Sequence, residues 1–178
     1  MKKYIVGIDV GGTNVKIMAM STEFEVVGFS SIKTNGHLGY EVISDNIISE
    51  IDLIFRENHI NNPKILSIAM GLPGTVYKRE QKTGFLSVLM WNGFNPAEKI
   101  GRHYNAKFCI ENDANLNALG EYTFGIKKSV ENLVLVTLGT GVGCGIISEG
   151  KLFGGSNNQA AEIGHMTVVT DDGEKCLC

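Results

Sequence analysis

A chain of 178 residues that is 43% hydrophobic and 20% charged is long enough to bury one large core and part of another, and too apolar to remain disordered. A net charge of −3 excludes the clustered basic excess of a broad nucleic-acid footprint, and no apolar run is long enough to cross a bilayer. The opening MKKYIVGIDVGG enters a glycine loop after few apolar residues, unlike a secretory leader, so the sequence reads as that of a cytoplasmic protein that handles small molecules.

The 22 glycines, against 3 prolines, fall in discrete loops between apolar runs, and the elements follow in order. YIVGID and VKIMAM are predicted strands around the tight turn DVGGTN, and EVVGFSSIK is a third strand of the same meander. From Tyr40 to Asn58 the residues Val42, Ile43, Ile47, Ile48, Ile51, Ile54 and Phe55 recur near helical spacing, which predicts a covering helix. KILSIAM is a buried strand leading to the loop GLPG, TVYKREQKTGFLSV an exposed hairpin, and WNGF with NPAEKIGRHY a loop and a short helix. KFCIEN is another strand, and DANLNALGEYTFG a helix with Asn112 or Asp113 at its N-cap. LVLVTLGTGVGCGIISEG then repeats the layout of the first hairpin at an offset of 129 residues, Gly12 falling on Gly141, Ile17 on Ile146 and Val10 on Gly139; a second lobe begins there.

Five places can carry chemistry. The turn DVGGTN offers backbone N–H groups and bare glycines to phosphate oxygens, with Asp9 beside it for a hydrated magnesium ion, Thr13 and Asn14 as short-range donors and Lys16 for charge; an ordinary glycine hairpin uses the same residues. LGTGVG is a second such cradle, and neither is a Walker or dinucleotide-binding sequence. In CIENDAN, Asp113 can take the proton of an attacking hydroxyl while Asn112 orients a neighbouring one, although helix capping alone also accounts for the pair. Glu162 and His165, three apart, can present an acceptor and a ring nitrogen to a polyol. His165, Cys176 and Cys178 supply three of the four ligands of a closed zinc site, whereas Cys109 and Cys144 lie in apolar, strand-like sequence as reduced thiols.

DVGGTNVK, ENDANLNALGE, LGTGVGCGI and AEIGHM, in this order, resemble the ROK family of sugar kinases and sugar-responsive repressors, in the actin, hexokinase and Hsp70 superfamily. The resemblance implies an α/β fold of ribonuclease-H-like (actin-like ATPase) type with a mixed sheet and helices, an N-terminal lobe over 1–118 and the start of a second lobe over 119–178. It implies ATP and Mg2+ at Asp9, Gly11, Gly12 and Thr13 and at Gly139, Thr140, Gly141 and Gly143, with Asp113 as catalytic base and Asn112, Glu162 and His165 on a hexose-like sugar. It also implies structural Zn2+ held by His165 and a Cys-x-Cys-Gly-x-x-Gly-Cys-x-Glu segment, of which this chain carries Cys176 and Cys178; the expected parent is a longer, homodimeric protein cut within that loop. The family's repressors place a helix-turn-helix domain before the first glycine turn; only six residues precede Gly7 here, so the expectation is a kinase.

Overall fold

A computed structural model describes residues 2–84, 86, 89–139, 141–169, 172 and 173. The chain divides into two compact units, Met1–Asp113 and Ala114–Cys178.

The first unit is a five-stranded sheet in the order β3-β2-β1-β4-β7, formed by β1 (Lys3–Val10), β2 (Asn14–Ser21), β3 (Val26–Lys33), β4 (Lys64–Leu72) and β7 (Lys107–Asn112). The first three run antiparallel as the predicted meander, while β1, β4 and β7 are mutually parallel. Alternation decides the faces: Tyr4, Val6, Ile8 and Val10 of β1 and Val15, Ile17 and Ala19 of β2 are buried, whereas Asp9 and Lys16 point the other way. Over the buried face lies the helix α1 (Gly39–Glu57), whose Ile43, Ile47, Ile51, Ile54 and Phe55 form one apolar stripe. The helix comes close because Gly28 has no side chain; a Cβ there would stand 2.8 Å from Ile54 Cγ2. Val42, included in the predicted apolar series, is exposed, so the stripe begins one residue later.

The segment read as an exposed hairpin is half sunk in the core. In β5 (Val76–Tyr77) and β6 (Lys82–Thr83), Val76 and Thr83 are fully buried. The physical reason lies downstream: the Thr83 N–H donates to Phe94 O at 3.0 Å and the Gly93 N–H to Thr83 O at 3.1 Å, which straps the hairpin to the WNGF loop. Trp91 packs edge-on against Phe94 with ring centroids 5.1 Å apart, both buried, so the loop plugs the sheet's flank. The run of charges in KREQK conceals this because it occupies only the hairpin's outer end. A π turn over Ala97–Gly101 continues as α2 (Arg102–Tyr104) and leads into β7.

The helix α3 (Asp113–Gly120) begins on the last residue of the first unit and, within the second, runs into a π turn, Glu121–Gly125. β8 (Leu133–Leu138), β9 (Val142–Ser148) and β10 (Lys151–Leu152) form an antiparallel sheet, and a 3-10 turn spans Ile163–His165. A Cβ on Gly145 would stand 2.5 Å from that of Ala118, so β9 meets α3 at a glycine. Burial pushes the Cys144 thiol above its usual range, as suits a packing residue, whereas Cys109 on β7 is exposed, unlike the strand-core thiol expected. No helix among the described residues is long and apolar enough to cross a membrane.

Phe55 is 1% exposed and meets Tyr4 edge-on at 5.1 Å between ring centroids. Phe55→Ala is expected to lower the unfolding free energy by about 3–5 kcal/mol, read from urea unfolding followed by far-UV circular dichroism. A loss under about 1 kcal/mol would show that α1 is not what closes this core.

Candidate active site

The parallel strands end level with one another. Asp9 of β1 is in register with Gly71 of β4, and Gly71 with Glu111 of β7; Leu72 then pairs with Asn112. With neighbouring strands about 4.8 Å apart, the backbones of Asp9 and Glu111 stand about 10 Å apart along one edge. That edge is the carboxyl end of an open α/β sheet, where ligands bind in such folds. Asn112 ends β7, and Asp113 is the first residue of α3.

At the first turn the Gly11 N–H donates to Asn14 O at 3.0 Å, which leaves Gly12 and Thr13 as a two-residue loop. Thr34, fully buried, holds this loop from behind: its N–H donates to Thr13 O at 3.0 Å and its hydroxyl to Gly11 O at 2.7 Å. Two of the loop's carbonyls, those of Gly11 and Thr13, are thus engaged from behind. Directly across the hairpin, Lys16 Nζ lies 3.7 Å from Asp9 Oδ2, and more than half of each side chain is exposed. Such a pair is worth under about 1 kcal/mol and yields readily to a phosphate or a metal ion.

At the β7 corner the Asn112 N–H donates to Glu111 Oε1 at 2.9 Å, and Asn112 Nδ2 donates to Gly74 O at 3.3 Å. Glu111 is buried, and its other oxygen, Oε2, meets Lys78 Nζ in an ion pair.

In the second unit the β8–β9 turn closes through the Gly139 N–H to Gly141 O at 3.0 Å. A Cβ on Gly139 or Gly141 would meet nothing within 4 Å, so these glycines keep the backbone bare toward open space; one on Gly143 would stand 2.6 Å from Thr137 Oγ1, so Gly143 has a packing reason. The two glycine hairpins share a layout but not a register: Asp9 pairs with Lys16, whereas Leu138, its counterpart at the same offset, pairs with Val142 and makes the second turn tighter. Thr140, Cys176 and Cys178 lie outside the described residues. Glu162 Oε2 and His165 Nε2 stand 3.6 Å apart, both half exposed, as their spacing suggests. Their turn rests on β9 at Gly164, where a Cβ would collide with the Val142 carbonyl. Among the described residues no group of three or more His, Cys, Asp or Glu side chains is placed to hold a metal.

Sequence reasoning passed over Thr34, Lys78, Glu111 and Gly164. Glu111 had a signal, being a carboxylate on an otherwise apolar strand; Thr34 and Lys78 had none, since each acts through a contact distant in sequence.

An antiparallel meander that continues into parallel strands, with α1 on one face and the polar corner at the carboxyl ends, defines the actin-like ATPase class of fold. The chain belongs to the ROK family, whose family model matches residues 5–178. It is 36% identical over 179 residues to a glucokinase of Halalkalibacterium halodurans, covering 99% of this chain and 53% of that protein. It is 30% identical over 177 residues to the xylose repressor of Bacillus subtilis, covering 98% of this chain and 45% of the repressor. A crystal structure of a ROK family glucokinase from Streptomyces griseus in complex with glucose and AMPPNP superposes with a TM-score of 0.80 at 28% identity, over 93% of this chain and 51% of that one. The chain thus spans about half the length of the curated relatives it matches.

Thr34→Val keeps the shape of the side chain and leaves Gly11 O without its hydroxyl partner. A loss of about 1–3 kcal/mol is expected, together with faster amide exchange at Gly12 and Thr13 than in α1. Exchange that rises equally in α1 would mean that Thr34 supports the core and not the turn.

Proposed function

We propose that the protein of which this chain forms part is an ATP-dependent sugar kinase that transfers a phosphoryl group to a hydroxyl of a hexose. The observation that carries this reading is the level register of β1, β4 and β7, which brings Asp9 and the Glu111-Asn112-Asp113 corner to one edge of the sheet, about 10 Å apart at the backbone. A hydroxyl and a phosphoryl group in line fit within that span. Membership in a family whose relatives include glucokinases supports it further. Glucose is the default acceptor; mannose, allose, fructose or an N-acetylated hexosamine would call on similar polar groups.

Asp113, at the start of α3, accepts the proton of the attacking hydroxyl, and Asn112 beside it fixes the sugar by a neighbouring hydroxyl. The candidate phosphate ligands are Gly12 and Thr13 of the first unit, with Asn14 and Lys16 adjoining, and, on the family resemblance, Gly139, Thr140, Gly141 and Gly143 of the second. Asp9 is a single exposed carboxylate, and that fits magnesium, which keeps most of its waters and takes one or two carboxylates plus phosphate. When bound, the ion neutralises charge on the phosphates; the chain's own contribution is positioning and electrostatics. Glu162 and His165 are the second unit's candidate sugar ligands. The setting we infer is the cytoplasm, where ATP is supplied, with the whole protein as a homodimer.

A second reading is favoured by one observation: the xylose repressor matches almost the whole chain. A sugar-responsive regulator would use the same corner to bind sugar without phosphoryl transfer. Asp113→Asn separates the two. In a kinase it should cut turnover roughly 10²–10⁴-fold with sugar affinity nearly kept, because it removes a base and keeps a hydrogen-bonding side chain. The measurement is coupled-assay kinetics together with calorimetric sugar binding on the complete protein. Wild-type turnover in the variant, or no turnover in either, would defeat the assignment.

We also infer one structural zinc, held by His165, Cys176, Cys178 and a further thiolate. In this reading His165 would ligate the metal through one ring nitrogen and turn the other toward the sugar, the metal fixing the ring's tautomer and orientation. Elemental analysis of the complete protein should find about one zinc per chain, as a single four-ligand site requires, and His165→Ala should lose most of it. Full zinc occupancy in His165→Ala would remove the histidine from the ligand set.

A further inference from the structure

Two tethers run from one short segment to the β7 corner. Gly74 adopts φ 113°, a conformation that glycine takes readily and other residues rarely do, and its carbonyl receives the Asn112 side-chain amide at 3.3 Å. Four residues on, Lys78 reaches the buried carboxylate of Glu111. Glu111 has two oxygens and uses them differently: Oε2 meets Lys78, and Oε1 accepts the Asn112 backbone N–H at 2.9 Å. The peptide plane and the side chain of Asn112 are therefore both fixed from residues 74–78, and Asp113 follows directly on the fixed peptide. The segment is itself anchored, since Val76 and Thr83 are buried and Thr83 is bound to the loop at Gly93 and Phe94.

We propose that the Lys78–Glu111 ion pair is a positioning element that sets the orientation of Asn112 and, through it, of Asp113. The proposal rests on the kinase reading for its catalytic consequence but not for its structural one. If the pair served only to stabilise the fold, a sheet-end carboxylate would have little reason to spend one oxygen on the backbone of the very residue that precedes the general base. With Lys78 gone, the buried carboxyl of Glu111 loses the contact that holds Oε2, and its hold on the Asn112 N–H through Oε1 loosens. The segment 74–78 also gains a role: any sugar that displaces it displaces Asn112, so the hairpin takes part in choosing the sugar.

The test uses Lys78→Met, Glu111→Gln, the double variant and Lys78→Arg. Amide exchange by NMR should quicken at Asn112 about tenfold in Lys78→Met, with Ile110 unchanged. In the complete protein each single variant should lower kcat/KM for the sugar about tenfold, with KM for ATP within about twofold of wild type. The double variant should be no worse than the worse single, and Lys78→Arg should recover most of the loss, because the two side chains act as one unit. Glu111→Gln is nearly isosteric, so it carries the kinetic test if Lys78→Met fails to fold. Unchanged exchange at Asn112, losses that multiply in the double variant, or an ATP KM that moves as far as the sugar KM would each overturn the proposal. A wild-type protein that phosphorylates no hexose, yet in which Lys78→Met quickens Asn112 exchange, ends the kinase reading and leaves the positioning one standing.

Discussion

The parallel pairing of β1, β4 and β7 is the constraint on which the rest of the first unit depends. Strand ends are set by where backbone hydrogen bonding stops, and here three neighbours stop within a residue or two of one another. Asp9, Gly71 and Glu111 are therefore level, and the last residue of each strand with the one after it, Val10-Gly11, Leu72-Pro73 and Asn112-Asp113, follows from a common line. A register slip of one residue on β7 would turn its side chains to the other face and carry the corner away from Asp9. The burial of Ile110, with Phe108 packed against the same core, guards against that slip, since a shifted β7 would expose them. The hydrophobic core thus specifies the edge chemistry indirectly, by fixing register.

The two glycine turns do different physical work despite their shared layout. The first is held from behind by Thr34 and exposes a two-residue loop. The second closes one residue sooner, and its glycines divide between two with open space before them and one that lets β9 approach Thr137. A glycine kept for packing and a glycine kept for a ligand look alike in sequence; only the presence or absence of neighbours around the missing Cβ separates them.

What was legible in the sequence follows from the same distinction. The meander, α1, β4, β7 and the second hairpin could be read because each has a period, two or three and a half residues, that a buried face imposes locally. The family could be read because its four motifs keep their order and identity. The hairpin's burial could not, since Val76 and Thr83 are covered by Trp91, Phe94 and their neighbours, and nothing in TVYKREQKT announces a plug still to come. The same holds for the staple at Thr34 and the pair between Lys78 and Glu111, which join residues 23 and 33 positions apart. Residues that touch a ligand carry a motif, whereas residues that aim them carry only a contact, and contacts of long sequence separation leave no periodic trace.

Relatives named glucokinase and relatives named xylose repressor match this chain over nearly the same span, 99% and 98% of it. What the two kinds of relative have in common with this chain is thus nearly all of it, the level strand ends of β1, β4 and β7 included. Phosphoryl transfer asks little covalent chemistry of a protein beyond positioning and charge, so the distance between sensing a sugar and phosphorylating it is short in structural terms. It comes down to whether a base stands in line with the hydroxyl and whether the phosphates are gripped while it does. On the reading proposed above, the first depends on the aim of single side chains at the end of β7, within the tolerance of a hydrogen bond. Contacts made from outside the strand, such as the Gly74 carbonyl on the Asn112 amide and Lys78 on Glu111, are the kind of element through which one scaffold can be tuned toward either use.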